Sequence, residues 1–329
     1  MRKYQVTGNE YLSLPTIREE DGAIEGVTFL YMQAKGLLEL RGDDGLICPY
    51  LAVEGARAAL APAWTRAHCW IPAMAAREGT VAFRCTYLTP VGERAFGLRL
   101  EAVNEGDAPA RVRIGADGRW DRTLHEINET AELPAGREVK RSGWNNLFVW
   151  SQRPGLPLFA FAPVVEDSQP FSEFHQDAEW SQEGFGYDIH RNAALAAGER
   201  VTLDIFFGLG YEEVAAATSA KELLRRGFDA LYGQTERWLA AREKPLADPH
   251  LNTLLNTNLF FAFFYASGRT IDTEELCLTT SRSPRYYVSA AYWDRDSLLW
   301  AFPAVLAVDA AYAREILAYV FTRQARNIG

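Results

Sequence analysis

Apolar and polar residues alternate through the first two thirds of the chain, and then the rhythm changes. Val81-Ala82-Phe83-Arg84-Cys85-Thr86-Tyr87-Leu88 alternates, as do Phe96-Gly97-Leu98-Arg99-Leu100-Glu101-Ala102-Val103 and Ala110-Arg111-Val112-Arg113-Ile114. A period of two sends successive side chains to opposite faces, so these runs predict strands of antiparallel sheets with one solvated face. Shorter runs at 27–31, 36–40, 146–150, 158–161 and 201–210 predict further strands. Asn104-Glu105-Gly106-Asp107 reads as a hairpin-like turn, and Ala196-Ala197-Gly198-Glu199 as another turn. The polar and aromatic stretch 166–186 reads as a long loop. Many short strands with no helix between them predict an antiparallel β-sandwich over 1–210.

From 211 the spacing becomes helical. Residues 211–239 place Leu223, Leu224, Phe228, Leu231 and Trp238 on one face, with Gly227 inside the run. Ser219, followed three residues later by Glu222, predicts a capped start. The expectation is a linker helix within 211–247, ending near Lys244-Pro245. Asp248-Pro249 then sets a capping residue before the proline favoured at the first helical position. The run 251–267, with Leu254, Leu255, Leu259, Phe260, Phe261, Phe263 and Phe264, predicts a helix buried nearly all round and ended by Gly268. Residues 269–291 read as a long loop. A second helix is predicted from about Asp294 to about Val308, kinked at Pro303, and a third over 311–326. A helix apolar on every side belongs inside a larger bundle. Residues 248–329 are therefore expected to be the first helices of a helical domain that continues.

Composition narrows the classes. The 329 residues carry a net charge of -9 and no Lys/Arg stripe, which argues against nucleic acid. The longest apolar stretch, 259–266, is too short to span a bilayer, and the N-terminus has no apolar leader, so a cytoplasmic protein is expected. The four cysteines form no CxxC pair, which speaks against a disulfide framework or a metal site. Five histidines stand singly at 68, 125, 175, 190 and 250. No HExxH, P-loop, GxSxG or strand-to-helix GxGxxG occurs, and neither a metal nor an organic cofactor is implied.

One stretch concentrates candidate chemistry: Tyr292-Trp293-Asp294-Arg295-Asp296-Ser297. It fits a helix start, in which Asp294 caps, Asp296 complements the dipole and Arg295 pairs with a neighbour. It also fits a sugar subsite, in which the Arg295 fork and a carboxylate grip hydroxyls while Tyr292 or Trp293 supplies a stacking wall. Glu274 and Glu275, in the preceding loop, fit a solvated pair better than a catalytic one.

The order of sandwich, linker helix, paired helices and a Tyr-Trp-Asp-Arg-Asp-Ser loop resembles the (α/α)6-barrel, or six-hairpin, glycosidases, including bacterial glucoamylases, trehalases and related sugar phosphorylases. The segment from Asp296 through Ala301, Pro303 and Asp309-Ala310 to Gln324 and Gly329 is similar to their second and third helices. The resemblance covers 211–329 well and the β-domain only in architecture. It implies an N-terminal β-sandwich followed by an incomplete (α/α)6 toroid. It also implies an exo-acting glycoside hydrolase of inverting chemistry, with Arg295 and Asp296 holding the non-reducing-end sugar in subsite -1. Such enzymes use two carboxylates about 6.5–9.5 Å apart. The resemblance places both on later hairpins, so the catalytic pair is expected beyond Gly329 and the implied partner of this chain is the other half of the barrel. A sugar phosphorylase and a non-catalytic carbohydrate-binding protein remain the other readings.

Overall fold

The computed structural model describes residues 2–32, 36–126, 130–133, 136–152, 159–166, 172–176, 185–284, 290 and 294–325. In chain order the strands are β1 (Tyr4–Gly8), β2 (Leu12–Arg18), β3 (Gly26–Tyr31), β4 (Gly36–Arg41), β5 (Cys48–Val53), β6 (Ala56–Arg57), β7 (Ala63–Ala67), β8 (Ile71–Glu78), β9 (Val81–Leu88) and β10 (Ala95–Asn104). There follow β11 (Ala110–Trp120), β12 (Arg122–Glu126), β13 (Thr130–Glu132), β14 (Arg137–Arg141), β15 (Phe148–Gln152), β16 (Phe159–Val164), β17 (Ser172–Gln176), β18 (Phe185–Leu195), β19 (Arg200–Gly210), β20 (Ser267–Arg269) and β21 (Leu276–Leu278). Among the described residues β1 to β19 form three sheets, ordered β1-β2-β3-β4-β12-β13, β14-β15-β16-β19-β10-β9-β8-β7 and β17-β18-β11-β5-β6, and β20 pairs with β21 in a small fourth. The inner faces of the three share one core in which Phe161 stacks with Trp150 and with Phe96, and Phe96 with Phe207. This is the antiparallel sandwich that the alternation predicts.

The details differ from the sequence expectation in three places. The turn after Asn104 is no hairpin: β10 pairs with β9 and β19, whereas β11 pairs with β5 and β18 in another sheet. The chain crosses between sheets there. Asn104 fixes the crossing, its amide donating to Ala108 O, Leu195 O and Ala196 O. The stretch 166–186 is not all loop, because β17 lies within it and pairs with β18. Nor is one face of every sheet solvated. Strands β2 and β3 are buried at every position. The second face of that sheet carries Thr28, Leu30, Leu37 and Glu39, and residues 270–282 run along it, with Ile271 N donating to Leu30 O.

The linker is two helices, α1 (Glu213–Arg226) and α2 (Phe228–Ala240), and not one. Gly227 breaks them with φ +80°, a conformation that a side chain would disfavour. Ser219 sits in mid-helix and caps nothing; Glu212 precedes α1 without a side-chain cap bond. Gly208 and Gly210 on β19 leave room for α1, since a Cβ on either would overlap the α1 backbone at Ala216.

Helix α3 (Pro249–Tyr265) begins as expected, with Asp248 Oδ1 accepting from His250 N at 2.8 Å and Leu251 N at 3.0 Å. It ends at Tyr265, ahead of Gly268, which belongs to β20. It is not apolar-buried all round: Leu251 and Leu254 are 55% and 60% exposed, so one side faces outward. The stretch 269–291 is not all loop, since it contains β21, which pairs with β20 just before it. The next helical tract comprises α4 (Asp294–Asp296), a π turn at Ser297–Ala301 and α5 (Phe302–Val308). Pro303 has no N–H to give in the preceding turn. The irregularity falls there as a wide turn, in which Phe302 N reaches Ser297 O. Asp309 then caps α6 (Ala310–Ala325), accepting from Ala311 N and Tyr312 N at 3.0 Å each. No helix among the described residues is long and apolar enough to cross a membrane.

Candidate functional site

The candidate stretch stands on the seam between sandwich and helices. That seam is an aromatic core built around Trp70, whose indole donates to Gly8 O at 2.8 Å and whose ring packs 5.1 Å from Phe264 and 6.2 Å from Tyr265. Tyr265 returns the link, donating from its hydroxyl to Thr7 O at 3.1 Å. Phe260, Phe263 and Phe264 of α3 meet Val305 and Val308 of α5 in the same cluster, and Leu298, Ala301 and Phe302 pack against it. Arg242 fastens the hairpin from outside. Its guanidinium lies 4.0 Å over Trp238 and donates through Nε and Nη2 to Asp309 Oδ2 at 3.1 and 2.5 Å. The Asp309 carboxyl, against its partial burial, is held below the usual carboxylate range by the Tyr312 amide and by Arg242.

On this footing the tract 294–308 presents its first turn outward. Asp294 opens α4. Arg295 is 74% exposed along its side chain, and its Nε donates to Asp296 Oδ1 at 3.3 Å. Asp296 is less accessible, at 25%. Ser297 is buried, and its hydroxyl has no partner among the described residues. Leu299 and Trp300 follow at 64% and 76% exposure. The structure therefore brings together an accessible guanidinium, a carboxylate beside it and an exposed indole one turn on. Tyr292 and Trp293 lie outside the described residues.

That first turn offers donors and acceptors to a polyhydroxylated ligand, and Arg295, whose partner among the described residues is its neighbour Asp296, presents an exposed guanidinium to one. It does not by itself form an acid–base pair. Glu274 is committed elsewhere: it pairs with Arg94 and accepts from Tyr11 OH at 2.8 Å, tying the β20–β21 connection to the sandwich. Glu275 accepts from Thr273 Oγ1 at 3.1 Å. His68 bridges toward Glu243 and Glu236, and His190 bonds Asp188, all remote in sequence from 294–297. Among the described residues no group of three or more His, Cys, Asp or Glu comes together to hold a metal. All four cysteines are free, and burial pushes the Cys85 thiol up to about 12.

Sequence patterning missed Arg282. Within Thr279-Thr280-Ser281-Arg282-Ser283-Pro284 it looks like a loop cation, yet it is wholly buried at the seam. No periodic signal marks it, because its partners come from other elements.

No family profile matches the sequence, and no curated protein matches it. Solved structures do. A protein assigned as a kojibiose phosphorylase, from the human microbiome, superposes with a TM-score of 0.59 at 10% identity, over 94% of this chain and 47% of that one. A bacterial glucoamylase complexed with acarbose superposes with a TM-score of 0.54 at 11% identity, over 96% of this chain and 49% of that one. The chain thus spans about half the length of the structures it resembles. At such identities the likeness establishes the fold: a β-sandwich carrying a helical layer, arranged as in those two proteins.

Proposed function

We propose that the chain belongs to a carbohydrate-active enzyme, a glycoside hydrolase acting exo on a glycosidic bond by inverting acid–base chemistry. In this proposal residues 1–210 are the sandwich, 211–247 the linker and 248–329 the opening of an (α/α)6 toroid. Further helical hairpins complete the toroid and bring the general acid and base. The observation that carries the reading is the accessible Arg295–Asp296 pair at the start of the tract 294–308, in a fold shared over nearly its whole length with proteins described as a glucoamylase and a kojibiose phosphorylase. The outward apolar residues Leu251, Leu254, Leu299 and Trp300 support the completing hairpins, which would take these large side chains out of water.

In this reading Arg295 donates to hydroxyls of the non-reducing-end sugar, and Asp296 accepts from one of them. Tyr292, Trp293 and Asp294 complete the subsite. Sugar phosphorolysis is the second reading, favoured by the superposition on the kojibiose phosphorylase. It differs in the nucleophile, which is phosphate and not water. Product analysis with and without inorganic phosphate separates the two, because only phosphorolysis yields a sugar 1-phosphate.

The binding role is tested by titrating the complete protein with maltose, kojibiose and acarbose. Asp296→Asn is expected to weaken whichever sugar binds by about 1–3 kcal/mol, the scale of an unpaired buried polar group. Equal affinity in the parent and Asp296→Asn returns Asp296 to a purely helix-terminal role.

A further inference from the structure

Arg282 has no exposed surface. Burial lowers its guanidinium to about 10, so the group stays charged at neutral pH. Among the described residues no carboxylate forms an ion pair with it. Instead Nη1 donates to three backbone carbonyls: Asn9 O at 2.8 Å, Phe264 O at 2.9 Å and Ser267 O at 3.1 Å. Asn9 belongs to the β1–β2 turn of the sandwich, while Phe264 and Ser267 flank the end of α3. The Arg282 amide donates to Tyr265 O at 2.6 Å, and its carbonyl accepts from Thr28 Oγ1 at 3.5 Å. One residue thus joins two places on the sandwich to the end of α3.

The placement leaves Nε and Nη2 without a partner among the described residues, a cost that contacts at the end of α3 offset. The last turn of α3 has no basic residue of its own. A cation close to the unsatisfied carbonyls at a helix C-terminus is stabilising, and more so where it is desolvated. Arg282 supplies that cation from another part of the chain. The slot is shaped for it: a Cβ on Gly268 would lie 2.8 Å from Arg282 Nη1 and 2.8 Å from Glu10 O. Volume alone is not the explanation, because a methionine could fill much of the same space and would leave three buried carbonyls without their donor.

The consequence reaches the candidate site through packing. Helix α3 is fixed to the sandwich at Arg282 and packs along α5 through Phe260, Phe263, Val305 and Val308. Helix α5 is continuous with the turn bearing Arg295 and Asp296. We infer that Arg282 is a positioning residue, which registers the end of α3 against the sandwich and thereby sets where Arg295 and Asp296 stand. The functional weight of this inference rests on the reading of those two residues as sugar contacts.

The test needs no sugar, so its failure is separable from failure of that reading, which the Asp296 titration decides. Amide hydrogen exchange is followed by mass spectrometry in the parent protein, Arg282→Lys and Arg282→Met. In Arg282→Met the amides of 294–308 are expected to exchange about tenfold faster or more, as a locally loosened unit, while Val81–Leu88 and Ala95–Asn104 keep parental rates. Lysine carries three N–H donors for the three carbonyls but reaches one bond less far, so Arg282→Lys should fall between parent and Arg282→Met. No change at 294–308, or the same acceleration there as in the sandwich strands, overturns the inference. Should Arg282→Met fail to fold, the same comparison is made on Arg282→Lys alone.

Discussion

Phe161→Ala is expected to lower the unfolding free energy by about 3–5 kcal/mol, the range for truncating a buried aromatic. Phe161 has no exposed surface and sits where four rings meet. Its ring is stacked on Trp150 at 5.1 Å and 8°, and lies 5.6 Å from Phe207 and 6.0 Å from Phe96. Those neighbours come from β15, β19 and β10, which β16 helps to hold in one sheet. Each is a large ring anchored by its own strand, so the hole cannot close by a small side-chain shift. Phe161→Leu should cost much less, because it keeps most of the volume. Denaturant unfolding of the three proteins checks this. A loss under about 1 kcal/mol for Phe161→Ala would mean that the sheets are not packed around that cluster.

The second large effect is electrostatic. Glu25 is 1% exposed along its side chain and is met by Arg2 at 3.0 Å, Arg41 at 2.9 Å and Arg18 at 3.9 Å, with Tyr4 OH donating to Oε2 at 3.2 Å. Arg2 is more than half exposed and contributes little. Arg18 and Arg41 are largely covered, at 9% and 14%, so their charges depend on this carboxylate. Glu25→Leu should destabilise by about 3–5 kcal/mol, the cost of leaving one side of a buried ion pair uncompensated. Glu25→Gln keeps the shape and one acceptor oxygen and should cost less. Arg18 retains Asp21, and Arg41 retains Glu39 and Asp43, so the network weakens without vanishing. Unfolding at low and at high salt makes the check sharper. The difference between parent and Glu25→Leu should persist in high salt, because burial excludes screening ions; a difference that disappears would place Glu25 among ordinary surface charges.

Much of the sandwich is legible from residues alone. Strand β9 occupies the alternating run at 81–88, and β10 extends the neighbouring one by a residue at each end. Partnership is less legible. Asn104 through Asp107 has turn chemistry, and a turn does form there, but turn residues report a reversal and not the sheet that receives the next strand. Strands β2 and β3 show the same limit. Ser13, Thr28 and Glu39 mark a polar face, yet that face is covered by chain arriving more than two hundred residues later. The linker illustrates a local conflict: apolar spacing runs across Gly227, and its backbone conformation still splits the helix.

The candidate site divides in the same manner. A helix start at Asp294 follows from local sequence, as does the cap at Asp248. Whether Arg295 would be sequestered or accessible could not follow, because exposure depends on what packs beside the helix. Arg282 is the extreme case, since one of its acceptors lies 273 residues away.

For this chain the sequence by itself determined the antiparallel strands, the change to helices after 210, the cap at Asp248, and the clustering of polar and aromatic chemistry at 292–297. These depend on side-chain periodicity and on hydrogen bonds within a few residues. Only the tertiary structure decided which strands share a sheet, which side of α3 faces outward, and that a buried arginine ties sandwich to helix. Those features depend on distant segments meeting, where burial and unsatisfied carbonyls select partners that no local pattern encodes.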